Sequence, residues 1–177
     1  MDFERQHPDD RFILRSLGST LILVGNRPPS AAGMKWLERE LVAFGSKHAG
    51  RATYLHYAFD GGEMVMPDDE TRAAMRSVAA NGPKAFEAIA MIMDYEGFVG
   101  AAVRSVLSGV LLAARAPKHL KIFGTVAEGR GWLDGLVGPQ ALPPLDLMVS
   151  EVKRLRAIQE AENAARRGES PANAKAR

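Results

Sequence analysis

The eight residues FEAIAMIM, Phe86 to Met93, constrain the fold more than any other stretch of the chain. A run this apolar and this short has no polar face to give to water, so it suits a strand inside a sheet that is covered on both sides. RATYLHYAF, Arg51 to Phe59, is of the same kind, β-rich and mostly apolar, and it runs into the loop signal Asp60-Gly61-Gly62. The segment between the early part of the chain and this strand has helical period: Met34, Leu37, Leu41 and Phe44 recur at spacings of three and four, after Ser30 as N-cap and with Gly45 as the expected exit. PDDETRAAMRSVAANGP, from Pro67, gives a second helix, with acids in its first turn, Asn81-Gly82 at its exit and Pro83 beyond. Buried strands alternating with amphipathic helices define an α/β layer fold.

RFILRSLGSTLILVGNR opens the fold as a hairpin turning at Leu17-Gly18-Ser19, with Phe12 and Leu14 facing Leu21 and Leu23. After Asp94-Tyr95-Glu96-Gly97, a third helix is expected over FVGAAVRSVLSGVLLAARAP, Phe98 to Pro117. LKIF, Leu120 to Phe123, is a last short strand. Thr125-Val126-Ala127-Glu128 then reads as a capping box, in which Thr125 and Glu128 satisfy each other's orphan backbone donors. Trp132 and Leu133, two turns further on, are the aromatic and aliphatic anchor of that helix on the sheet. The closing segment explains itself as a structural cap and anchor.

PQALPPLD, Pro139 to Asp146, reads as a linker. It leads to a C-terminal helix with Leu145, Met148, Val152 and Leu155 at heptad-like spacing, one apolar face for its own domain or for a partner. No large apolar residue follows Ile158, so the end of the chain is expected to be disordered. Residues 151–177 hold seven Lys/Arg against four Asp/Glu, a charge of +3, and the remaining residues hold 16 against 17, or −1. The formal net charge of +2 is therefore a property of the tail, and without aromatic platforms beside those cations a nucleic-acid partner is disfavoured. The chain has 177 residues, 46% hydrophobic and 25% charged, the balance of one globular domain with a tail. No run approaches the roughly 20 apolar residues of a membrane span, and the polar start MDFERQHPDD fits no targeting peptide, so a cytoplasmic location is expected. Absence of cysteine removes thiolate chemistry and disulfides.

The order hairpin, helix, strand, helix, strand, helix, strand, helix, closing on KIFGTVAEGRGWL, resembles the STAS-like fold, the family of anti-sigma-factor antagonists and sulfate-transporter tail domains. The nearest likeness is to its anti-sigma-antagonist-like branch, related to SEC14-type lipid-binding modules. The resemblance implies a single STAS-like domain over residues 11–137, with a mixed sheet covered by helices; beyond it the residues themselves read as a linker at 138–144, a C-terminal helix at 145–160 and a disordered tail at 161–177. It also implies a bacterial, non-catalytic regulatory or protein-interaction module. Antagonists of this family carry a phosphorylatable Ser or Thr in the turn after the strand matched here by TYLHYAF. This chain has DGGEMVMPDDE, without a hydroxyl, so phosphorylation-driven partner switching does not carry over.

Asp60, Asp94 and Glu96 fall just beyond strand ends, where open α/β sheets place ligands, and are the candidates for a hard cation or a phosphoryl group. Turn-forming and helix-starting roles outweigh that reading. No P-loop, G-x-G-x-x-G or G-x-S-x-G pattern occurs, and His7, His48, His56 and His119 lack metal-ligand spacing. His56, inside an apolar strand, is the one candidate buried base, weighed against a strand histidine satisfied by a neighbour. Met64, Met66, Met75, Met91 and Met93 suggest an adaptable apolar-ligand or lipid pocket, weighed against core filling. The expectation is therefore no cofactor, no metal and no catalytic residue, with a protein partner, a second copy of the chain or a small apolar molecule as ligand.

Overall fold

The computed structural model describes residues 2–7, 12–26, 30–59, 68–95, 119–166 and 168. Among the described residues six strands form one sheet in sequential order: β1 (Glu4–Gln6), β2 (Phe12–Leu17), β3 (Thr20–Gly25), β4 (Thr53–Phe59), β5 (Ala88–Asp94) and β6 (Leu120–Phe123). β1 to β3 are antiparallel neighbours, and β3 to β6 are parallel, which makes the sheet mixed. Four α-helices cover it among the described residues: α1 (Ala31–Lys47), α2 (Asp69–Asn81), α3 (Val126–Val137) and α4 (Leu145–Arg166). The expected α/β class is the observed one. The third helix expected over residues 98–117 lies outside the described residues.

The opening hairpin pairs Leu14 with Leu23 and Leu17 with Thr20 around the two-residue turn Gly18-Ser19. Gly18 alone takes a positive φ there, +58°, the first-position glycine of a primed turn whose twist suits two antiparallel strands. Alternation along the strands then sorts side chains into two cores. On one face Phe12, Leu14, Leu21, Leu23, Tyr54 and Ile89 pack beneath α1 through Met34, Leu37, Leu41 and Phe44, and beneath α2 through Ala74. On the other, Ile13, Ile22, Val24, Leu55, Tyr57 and Ile92 pack beneath α3 and α4.

The caps follow the sequence. The Ser30 hydroxyl accepts from the Gly33 N–H at 3.0 Å, and the Asp68 carboxylate from the Thr71 N–H at 2.7 Å. Thr125 accepts from the Glu128 N–H at 3.2 Å while Glu128 accepts from the Thr125 N–H at 3.0 Å, completing the box. Leu133 is wholly buried, and Trp132 is partly buried against Phe123, ring centroids 5.5 Å apart. Gly45 does not end α1. It lies two residues inside the helix, where a Cβ would stand 2.2 Å from the Ala85 carbonyl oxygen, so its place is set by the close approach of α1 to the turn before β5.

Three boundaries differ from expectation. The sheet begins before residue 11, because β1 pairs with β2 and Phe3 meets Phe44 edge-on. Residues 138–144 are fastened rather than loose: a 3₁₀ turn spans Pro139–Ala141, Leu142 is buried, and the Pro143 carbonyl accepts from Arg130 Nε at 3.2 Å. The helix at 145–160 runs on to Arg166, so residues 161–166 of the expected disordered tail are helical, with Asn163 and Ala164 buried. Small and polar residues are good enough helix formers when a preceding turn is already docked.

Candidate functional site

The parallel strands carry their candidate chemistry at their carboxyl ends. Register sets Phe59 beside Asp94, and Tyr57 projects to the same face as Phe59, beneath α4. The Tyr57 hydroxyl donates to Asp94 Oδ2. Arg156, at the middle of α4, reaches both: its Nη1 is 2.9 Å from Asp94 Oδ2 and 3.1 Å from the Tyr57 oxygen. Its Nε donates to Glu160 Oε1 at 2.7 Å, and its guanidinium carbon stands 4.9 Å from the centre of the Phe59 ring. One cation is thus shared among a phenol, two carboxylates and an aromatic face.

The electrostatics follow from that arrangement. Burial, together with the hydrogen bond to Asp94 and partly offset by Arg156, pushes the Tyr57 phenol up to about 12, so it stays a donor. Asp94 is held by the phenol and the guanidinium, which spend its Oδ2 on fastening α4 to the sheet. A divalent ion approaching that oxygen would have to displace Arg156. Asp60 and Glu96, the other two carboxylates expected here, lie outside the described residues. Among the described residues no group of three or more His, Cys, Asp or Glu side chains could hold a metal ion.

The remaining candidates are placed as follows. His56 sits in β4 on the α1/α2 face, beside the Tyr54 ring at 6.2 Å, and burial pushes its imidazole down to about 4. It is neutral near pH 7, and among the described residues no carboxylate pairs with it in the manner of a positioned base. Met91 and Met93 line that same face of the sheet, whereas Met75 is exposed on α2, so these three do not converge; Met64 and Met66 lie outside the described residues. The apolar face expected to bind a partner is spent on the chain itself. Met148, Val152 and Leu155 are buried in the core with Ile13, Val24 and Leu133, and only Leu145 of the four is exposed.

Three other apolar side chains near the α3–α4 connection stay outside the core. Leu136 at the end of α3, and Leu145 and Leu147 at the start of α4, are 49%, 40% and 41% exposed. They are three of the five large exposed hydrophobic residues among those described, and they fall within twelve residues of one another. Sequence reasoning missed Tyr57 and Arg156 as partners of Asp94. The legible signal was a tyrosine near the end of an apolar strand, whose hydroxyl needs a hydrogen-bond partner when the ring is buried. Among the described residues no helix is long and apolar enough to cross a membrane. Comparison with known proteins finds no matching family model, no matching curated protein and no matching solved structure.

Proposed function

We propose that this chain is a non-catalytic protein-interaction module of the STAS-like kind, acting in regulation in the bacterial cytoplasm, and that its partner docks on the corner where α3 meets α4. The observation that carries the reading is the exposed trio Leu136, Leu145 and Leu147, on a helix pair whose other large apolar side chains are buried in the core or partly buried against it. Burial of an exposed aliphatic side chain at an interface is favourable by roughly 1.5 to 3 kcal/mol, so three together give a partner a usable anchor. The polar cluster at the strand ends supports the same reading, because Tyr57, Asp94 and Arg156 are engaged with one another and hold a helix.

The test is a chain with Leu136, Leu145 and Leu147 all changed to Ser, compared with wild type in cross-linking from native cells and in sedimentation. Loss of the cross-linked partner with an unchanged melting temperature supports the proposal. Should sedimentation show the loss of a dimer, the partner is a second copy of the chain. Undiminished capture by the variant overturns the assignment of this corner. A lipid or other apolar molecule found bound by native mass spectrometry favours the ligand-binding alternative instead.

A further inference from the structure

The two halves of α4 are held by different forces. Through Leu155 its sheet-facing side is aliphatic, with Met148, Val152 and Leu155 at most 3% exposed. Beyond Ile158 the same side continues as Gln159 and Asn163, both buried, and no large apolar side chain joins the core. The buried Asn163 Nδ2 finds no hydrogen-bond partner, and neither does Asn26 Oδ1, immediately after β3. Buried polar atoms without partners weaken a packed element, since they lose water and regain nothing. Apart from Ile158, packed against the edge of the core, and the small buried Ala164, what holds this half is polar: Arg156 on Asp94 and Tyr57, and Gln6 Nε2 at 2.9 Å from both oxygens of Glu162.

Register locates it. Gln6 stands across from Ile13, Ile13 from Val24, and Val24 from Tyr57, so Glu162 is level with the last residues of β3 and β4. We propose that residues 156–166 form a lid over the carboxyl ends of β3 to β5, with the Arg156 clasp on Asp94 and Tyr57 as its latch and the aliphatic half of α4 as its fixed anchor. Opening leaves the anchor packed and frees Tyr57 and Asp94, at the edge where open α/β sheets receive ligands. Elements that move in binding come from the least stable part of a structure, and polar ties are the kind a competing charged group can replace.

Native-state hydrogen exchange on the full chain tests this, read over residues 157–163 so that fraying of the last turn does not enter. In wild type these amides should exchange at least about tenfold faster than those of residues 150–155. Asp94→Asn should speed residues 157–163 by a further ~5 to 30-fold, the range expected for loss of a solvent-screened hydrogen-bonded ion pair. Val152→Ala separates a lid from a uniformly weakened helix. It destabilises the anchor equally with the lid closed or open, so it should speed residues 150–155 by about tenfold and leave residues 157–163 unchanged. Equal rates for both stretches in wild type, or equal acceleration of both by Val152→Ala, would show that α4 opens as one unit and overturn the proposal.

Discussion

Changing Val152 and Leu155 together to Ala should destabilise the folded chain severely, because α4 supplies part of its core. Leu155 is fully buried and Val152 is 3% exposed, in one cluster with Ile13, Ile22, Val24, Leu55 and Leu133. A buried Leu→Ala change costs about 2 to 5 kcal/mol, and the smaller Val→Ala change removes fewer methyl groups. The two positions lie one turn apart and share neighbours, so their costs will not add strictly, and ~3 to 7 kcal/mol is expected for the pair. Against a total stability of roughly 5 to 15 kcal/mol this is a large fraction. At about 2 to 4 °C per kcal/mol for a chain of this length, the melting temperature should fall by ~6 to 28 °C. Circular dichroism during heating, with urea unfolding as a second measure, reads the effect. A variant that melts like wild type and loses only a partner would show that this face binds outward, contrary to the packing described here.

Two further outcomes follow from particular residues. His56 is neutral in the folded chain, its pKa pushed down by burial from the ordinary 6.5 to about 4. Between those values the unfolded chain binds a proton that the folded chain refuses, so stability should fall as pH drops from 6.5 towards 4, by ~3 kcal/mol in all, and level off below. His56→Gln should remove that component of the pH dependence in urea unfolding, and an unaltered pH profile would contradict the burial argument. Thr125→Ala removes the hydroxyl that caps α3 and should cost roughly 0.5 to 2 kcal/mol in thermal unfolding while partner capture persists. Full stability with capture abolished would make Thr125 part of a binding site instead.

The layers were legible because periodicity reports burial directly. FEAIAMIM lacks a polar face and became the strand between β4 and β6; Leu14 and Leu23 alternate with their neighbours and pair in the hairpin; Thr125 and Glu128 need only each other. Capping and turn chemistry act over three or four residues, so a single sequence displays them whole. β1 was illegible because Glu4, Arg5 and Gln6 have no apolar alternation. Its pairing rests on backbone bonds to β2 and on Arg5 with Glu40, Glu4 with Arg154 and Gln6 with Glu162, contacts that join distant parts of the chain. The heptad-like face of α4 was visible, but its target was not: a row of Met148, Val152 and Leu155 looks the same whether it meets its own sheet or another protein. Asp94 likewise was found at a strand end, while the cation that claims it lies 62 residues away.

That last pairing is the most direct test of whether the carboxyl edge of the sheet fastens a helix or performs ion chemistry. The measurement is the melting temperature of wild type and of Asp94→Asn, each in Mg²⁺ and in EDTA. Asp94 and Arg156 are each 38% exposed, so the hydrogen-bonded pair is discounted for solvent to ~1 to 2 kcal/mol. The account predicts that Asp94→Asn melts about 2 to 8 °C lower than wild type and that neither chain responds to Mg²⁺ or EDTA. A wild-type chain that gains stability with Mg²⁺, and an Asp94→Asn chain that loses the gain while melting normally in EDTA, would contradict it.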